Sequence, residues 1–292
     1  MALSFTKNKN TKWPVRLGGP LFEEAESPER WIELHRQAGY RAALCPVEHP
    51  EEEQAINAYR KAARGADILI AEVGVWNNPI SPNDAERKEA LEKCIEQLEL
   101  AEKIEALCCV NVSGSRSTEH WYGPHAQNLT DKTFDLIVET TRKIIDAVKP
   151  KKTFYALETL PWIFPHTVES YVRLIKAIDR PAFGVHCDPV NMITSPEKYF
   201  FNAQLLRDFF QKLGPHIKSC HAKDIILRNQ LTTHLDEIRP GLGALDFNVY
   251  LQELARLEDV PLIIEHLQDQ KEYERAAQHI RSVAEKNNLK VL

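Results

Sequence analysis

Long apolar runs are missing from this chain of 292 residues. No uninterrupted stretch reaches the ~18 apolar residues that a spanning helix needs, so no membrane partner is expected. Residues 1–12 are polar and lysine-rich and lack the apolar core of a signal peptide. The expectation is a cytoplasmic protein, with a polar segment over 1–12 and a single domain over 13–292. The six cysteines, at 45, 94, 108, 109, 187 and 220, contain no CxxC pairing of the zinc type. Free thiols in a reducing compartment are the simpler account. Neither GxGxxG nor a P-loop occurs, so no dinucleotide or triphosphate cradle is encoded. A basic field is absent too: 37 Lys and Arg stand against 42 Asp and Glu, a net charge of −5. Nucleic acid is therefore not an expected partner.

What the chain does have is a recurring strand end. Phe154-Tyr155-Ala156-Leu157 is an apolar, aromatic-rich run that stops on Glu158, after which Pro161 turns the chain. Phe183-Gly184-Val185-His186-Cys187 stops on Asp188. Ile217-Lys218-Ser219-Cys220 stops on His221, and Val260-Pro261-Leu262-Ile263-Ile264 on Glu265. The polar ends are 30, 33 and 44 residues apart (158 to 188, 188 to 221, 221 to 265). Each gap has room for one crossover helix. Successive parallel strands then deliver Glu, Asp, His and Glu to one end of one sheet, where they would repel one another without a divalent cation between them.

The first half of the chain has the same rhythm. Strands are expected near 15, 41, 68 and 107, with helices over about 27–38, 51–64 and 84–105, and a further one that buries Phe134 to Val148 and ends at Pro150. Ser27-Pro28 opens the first helix and Gly39 stops it. Leu91, Cys94, Ile95, Leu98, Ala101 and Ile104 form a helical stripe. After the sixth strand, 196–213 is expected to be helical, and after the seventh, 224–243 a long connection. Helices over 246–257 and 271–286 flank the last strand. Eight alternating units without an interdomain linker imply an α/β protein, a closed (β/α)8 TIM barrel in a single domain. In that architecture, loops after the strands carry the chemistry.

Leu157-Glu158-Thr159, His186-Cys187-Asp188-Pro189, His221-Ala222-Lys223-Asp224 and Ile264-Glu265-His266, in this order, resemble the xylose-isomerase-like barrels. That superfamily holds sugar phosphate isomerases and epimerases, ketose 3-epimerases, inosose dehydratases and barrel-type AP endonucleases. The segment from Arg239 to Asp246 is similar to the family's Pro-Gly-x-Gly stretch. The resemblance implies a divalent metal held by Glu158, Asp188, His221 and Glu265, with Glu158 and Glu265 as the catalytic acid/base pair. One departure matters: many members carry His three residues after the strand-six Asp, and here Asn191 stands there. Asn can hydrogen-bond a hydroxyl but cannot shuttle a proton.

Three oxygen donors and one imidazole suit Mn²⁺, and also Mg²⁺ or Co²⁺, with Zn²⁺ possible. Such a site fits an isomerase or epimerase that removes a proton beside a carbonyl of a small carbohydrate through a metal-stabilised enediolate. The same site with a leaving group on the next carbon gives a lyase or dehydratase acting on an inosose or a 3-oxo-glycoside. An AP endonuclease would need extra His ligands on strands two to four, whose ends offer Pro46, Glu72 and Ser113-Gly114 instead. A non-catalytic barrel that binds a sugar or partner is the remaining alternative. Taken singly, a Glu at a strand end is more often an ion-pair partner, and a His a core residue; the convergence of four carries the assignment. Candidate substrate contacts are His186 (same strand face as Asp188), Asn191, Trp121, Trp162, Lys223, Arg239 and His120. His266, next to Glu265, is expected to face away as a structural residue. Barrels of this kind often form homo-oligomers, but no sequence feature marks the surface.

Overall fold

The computed structural model describes residues 12–292. The expected polar segment over 1–12 lies outside them except for its last residue.

Eight parallel strands close into a barrel. In chain order they are β1 (Arg16–Gly18), β2 (Ala42–Leu44), β3 (Leu69–Gly74), β4 (Cys108–Asn111), β5 (Phe154–Leu157), β6 (Phe183–Cys187), β7 (Ile217–Ala222) and, after a short hairpin β8 (Asp224–Arg228) and β9 (His234–Ile238), β10 (Pro261–Ile264). Neighbouring strands follow chain order around the ring, and β10 closes it by pairing with β1, Leu17 against Leu262. The outer helices are α1 (Pro28–Ala38), α2 (Glu53–Ala66), α3 (Asp84–Ile104), α4 (Asp131–Val148), α5 (Val168–Ile178), α6 (Pro196–Phe200), α7 (Asn202–Leu213), α8 (Phe247–Leu254) and α9 (Gln270–Lys286). This is the single (β/α)8 barrel that the alternating pattern implies.

Local chemistry sets the helix ends. The Ser27 hydroxyl caps α1 by accepting from the Arg30 amide, and Pro28 fills the first position, where no N–H is needed. Thr167 and Ser170 cap α5 reciprocally. Leu98, Ala101 and Ile104 of α3 and Ile137 and Ile144 of α4 are buried in the layer between helices and strands. None of the helices among the described residues is long and apolar enough to cross a membrane.

The second half departs from expectation in one place and adds to it in another. The stretch 196–213 is two helices, broken at Phe201. There the Asn202 amide donates to the carbonyls of Tyr199 and Ala244, so the start of α7 is tied to the loop before α8. Phe200 and Phe201 stay exposed at the break. The connection over 224–243 has structure of its own: β8 and β9 pair antiparallel, Ile226 against Asp236. The pattern is hidden in the sequence because β7 and β8 are separated by Lys223 alone. Asp224 anchors the loop between β9 and α8. Its carboxylate accepts from the amides of Gly241, Gly243 and Leu245. A Cβ at Gly243 would lie 2.3 Å from Asp224 Oδ1, so glycine is required for that approach. The Asp of His-x-Lys-Asp therefore shapes the rim loop.

Candidate active site

Glu158 and Asp188 are the first residues after β5 and β6, His221 is the fifth of six in β7, and Glu265 comes directly after β10. These strands are adjacent in the ring, in the order β5, β6, β7, β10. One ligand-type atom from each of the four residues lies within 4.8 Å of every other. The four predicted side chains thus meet at one point of the mouth. Such a cluster could hold a metal ion.

A buried layer lies beneath the mouth. Glu72 of β3, only 2 % exposed, reaches across the barrel lumen. Its carboxylate faces His186 Nε2 at 3.1 Å, His221 Nε2 at 3.4 Å and the Ser219 hydroxyl. Burial alone would raise its proton affinity, but His221 and His186 outweigh burial and hold it well below the usual carboxylate range. An ionised carboxylate can only accept, so both Nε2 atoms carry their protons toward Glu72. His221 Nδ1 is left facing the ligand cluster, 2.7 Å from Glu265 Oε1 and 3.3 Å from Glu158 Oε1. From sequence alone Glu72 stands out only as the polar end of the third strand. Its signal is a lone carboxylate inside Ile70-Ala71-Glu72-Val73, on a strand buried on both faces.

Lys223 lies inside the cluster. Its ammonium, on a side chain 2 % exposed, is 2.7 Å from Asp188 Oδ2 and 2.6 Å from Glu265 Oε1, with Glu237 Oε2 at 3.6 Å. Desolvation opposes the charge on Lys223, yet Asp188 and Glu265 push its pKa up. The same neighbours act in reverse on the carboxylates. Asp188, raised by burial, is brought far down by Lys223 and His221. Glu265 is likewise raised by burial and then brought down to about 2 by His221 and Lys223. Glu158 ends above its ordinary value, because burial and the charge of Glu265 outweigh His221. The two outer carboxylates are thus pushed apart, a pattern that suits one proton acceptor and one proton holder.

The donor set fits a divalent cation on a local observation as well. Glu265 Oε1 is buried and held by two close ion pairs, to His221 Nδ1 at 2.7 Å and Lys223 Nζ at 2.6 Å, without a well-aligned hydrogen bond from either. A buried anionic oxygen that its neighbours hold by charge and not by aligned hydrogen bonds suits a cation in their place. Asn191 completes the frame: its amide donates to Asp188 Oδ2 at 3.0 Å and to Glu158 Oε1 at 3.3 Å. Asn191 is thus a neutral clamp on two carboxylates, at the position where the family resemblance suggests His.

The cluster opens into a cleft of about 310 Å³, whose walls include Trp76, Trp121, Tyr122, Asn191, Glu237 and His266. Trp121, Asn191 and Lys223 are therefore brought to the cleft. His266 reaches it too, contrary to expectation: the chain turns through a left-handed residue there (φ 58°), which swings the imidazole to 3.2 Å from Glu237 Oε1. The remaining candidates do not line the cleft. His186 is fully buried behind His221 with its ring against that imidazole, centroids 4.1 Å apart. Arg239 donates to Glu272 and to the Pro240 carbonyl. Trp162 sits one layer out, its indole N–H donating to the Tyr122 carbonyl, and His120 packs on Tyr122 from the solvent side. Trp76, Tyr122 and Glu237 are not among the candidates that the sequence suggests. Trp76 lies in a loop dense in turn formers, and Glu237 on the unforeseen hairpin.

The closed barrel with a carboxylate–histidine cluster at the ends of adjacent strands defines a TIM barrel with a candidate metal site at its mouth. The chain belongs to the xylose isomerase-like TIM barrel family, whose model matches residues 31–283. A search of curated protein sequences finds no match. Several solved structures share the fold. D-psicose 3-epimerase from Clostridium cellulolyticum has a TM-score of 0.66, with 16 % identity over 94 % of this chain and 100 % of that one. The probable 3-DHS dehydratase AsbF from Bacillus anthracis scores 0.67 at 16 % identity, covering 92 % and 98 %. A xylose isomerase-like TIM barrel protein from Mycobacterium smegmatis, solved in complex with magnesium, scores 0.62 at 14 % identity, covering 94 % and 96 %.

Proposed function

We propose that the protein is a divalent-metal-dependent isomerase or epimerase of a small carbohydrate, working by proton removal beside a carbonyl. The observation that carries this reading is the meeting of Glu158, Asp188, His221 and Glu265 within 4.8 Å at an open barrel mouth. These four residues would hold the cation; the oxygen-rich set suits Mn²⁺, Mg²⁺ or Co²⁺, and Zn²⁺ remains compatible. When bound, it would supply Lewis-acid stabilisation of the negative charge that develops on the substrate oxygen. The chain's own groups do the rest. Glu265, the most open of the three carboxylates, takes the proton from carbon. Glu158, on the other side of the cluster, returns a proton to the opposite face. Asn191 keeps Glu158 and Asp188 in register. Trp76 and Trp121 give the sugar flat apolar faces and keep water from the exposed carbanion-like intermediate.

Elimination is the second reading, because the same deprotonation expels a group already present on the next carbon. That a fold neighbour is a probable 3-DHS dehydratase supports keeping it. One experiment addresses both. Mn²⁺-loaded protein is incubated in D₂O with ketoses, inososes and 3-oxo-glycosides and followed by NMR. Deuterium should enter at one carbon, with or without loss of a leaving group, and Glu265→Gln should abolish it. Full exchange in the variant would refute the acid/base role of Glu265, and no exchange with any carbonyl sugar would refute the proposed reaction.

A further inference from the structure

The ligands occupy one half of the barrel mouth. The other half, over β1 to β3, is built differently. A second lobe of about 560 Å³ opens there, and its inner end is formed by His221 and Glu265 themselves. Its walls mix apolar and polar groups, with Leu44, Val47, Val73, Val75, Ile263 and Tyr273 forming the apolar part. Leu44, at the end of β2, is 40 % exposed, and Trp76 44 %. Trp76, Glu265 and His266 line both lobes, so the two adjoin at the ligand cluster, with the indole between them. The position of the indole is built in by a glycine. A Cβ at Gly74 would lie 2.6 Å from Trp76 Nε1, so the ring lies down on the end of β3 only because no side chain is there. Polar groups such as Glu48, His49 and Lys93 are found in this lobe as well, on the chain after β2 and on α3.

A free monosaccharide over the ligand cluster would leave the second lobe to water. Walls of valine, leucine and isoleucine offer that water few hydrogen bonds, so an apolar group displaces it with a gain in affinity. We propose that the substrate is a carbohydrate bearing an apolar substituent of about the size of a phenyl ring, with the sugar over Glu158 and Glu265 and the substituent in the lobe beside Leu44 and Trp76. This deepens the proposed function and rests on it: the sugar end must sit at the ligand cluster.

The test uses two inert probes, phenyl β-D-glucopyranoside and methyl β-D-glucopyranoside, titrated calorimetrically into the Mn²⁺-loaded protein. The phenyl glycoside is expected to bind at least roughly tenfold more tightly, the effect of withdrawing one ring face from water. Leu44→Asp, at an exposed position that tolerates polarity, should bring the ratio close to one. Leu129→Asp, a comparable exposed leucine outside the cleft, should keep the parent ratio. Equal affinities in the parent, no binding of either glycoside, or a ratio that survives Leu44→Asp would overturn the inference. The exchange experiment on unsubstituted ketoses is run alongside. Exchange without phenyl preference removes the lobe's role and keeps the chemistry. Phenyl preference without exchange on any carbonyl sugar keeps the binding lobe and overturns the proposed reaction.

Discussion

Replacing Glu72 with Gln should weaken metal binding at the mouth although Glu72 stands outside the four-residue cluster. The carboxylate accepts from His186 Nε2 and Ser219 on one oxygen and from His221 Nε2 on the other. An amide has one accepting end and one donating end. If its NH₂ group faces His221 Nε2, that nitrogen must give up its proton to accept, and the proton moves to Nδ1. Nδ1 then points an N–H at Glu158 and Glu265 in place of a lone pair. If the amide is flipped, its NH₂ faces His186 Nε2 instead, and His186 must carry its proton on Nδ1, which is buried without a partner. Either way one imidazole changes tautomer and the layer loses its negative charge.

Loss of an outer partner of a ligating histidine weakens metal binding by roughly 10- to 100-fold, about 1.4 to 2.8 kcal/mol. Depriving one buried imidazole N–H of its acceptor should lower the stability of the metal-free protein by about 1–3 kcal/mol. Calorimetric titration with Mn²⁺ measures the first, urea unfolding the second, and ¹⁵N shifts of the His221 ring report the tautomer. A variant that binds Mn²⁺ within twofold of the parent, with an unchanged ring spectrum, would refute the assigned orientation of His221.

In the metal-free protein the Lys223 ammonium is the countercharge of Asp188 and Glu265. Lys223→Met should cost about 3 kcal/mol without metal, and Mn²⁺ should raise its Tm by more than it raises that of the parent; an equal rise would place the ammonium elsewhere. Glu265 has its proton affinity brought down to about 2 in the folded state, from an ordinary 4.5. A depressed carboxylate stabilises the fold above its unfolded value and loses that contribution as pH falls through the folded one. Chelator-treated parent should therefore lose Tm between pH 4.5 and about 2 more steeply than Glu265→Gln, and parallel curves would contradict the assignment.

The cluster of Glu158, Asp188, His221 and Glu265 is legible in the sequence because each member ends an apolar run, and the runs repeat at the spacing of a strand–helix unit. A strand end is a local signal, and four of them fix one end of one sheet. Lys223 is legible only as a rim candidate. That its ammonium lies between Asp188 and Glu265 depends on β7 passing directly into β8, and a single residue between two strands leaves no mark in periodicity. Asn191 is visible as a departure, but its bond to Glu158 requires β5 and β6 to be side by side. Trp76 cannot be read as a wall of the site, since a loop rich in Asn, Pro and Ser says where the chain turns and not where an indole comes to rest.

Glu72 shows why the unread part is the part that joins the site together. The four ligand strands β5, β6, β7 and β10 form one arc of the ring, and β1 to β4 form the other. Ring closure alone holds the arcs edge to edge through backbone pairing, which leaves their inward side chains free to choose rotamers. Glu72 stands on the second arc and bonds to side chains of β6 and β7 on the first. A charged link across the lumen is costly to desolvate, and it is offset only if several donors converge on it. Two imidazoles and a hydroxyl do so here. The consequence is that the orientation of His221 is determined from the half of the barrel that contributes no ligand. A substitution on β3 should therefore register at the metal, whereas exposed changes on the helices outside β3 should not.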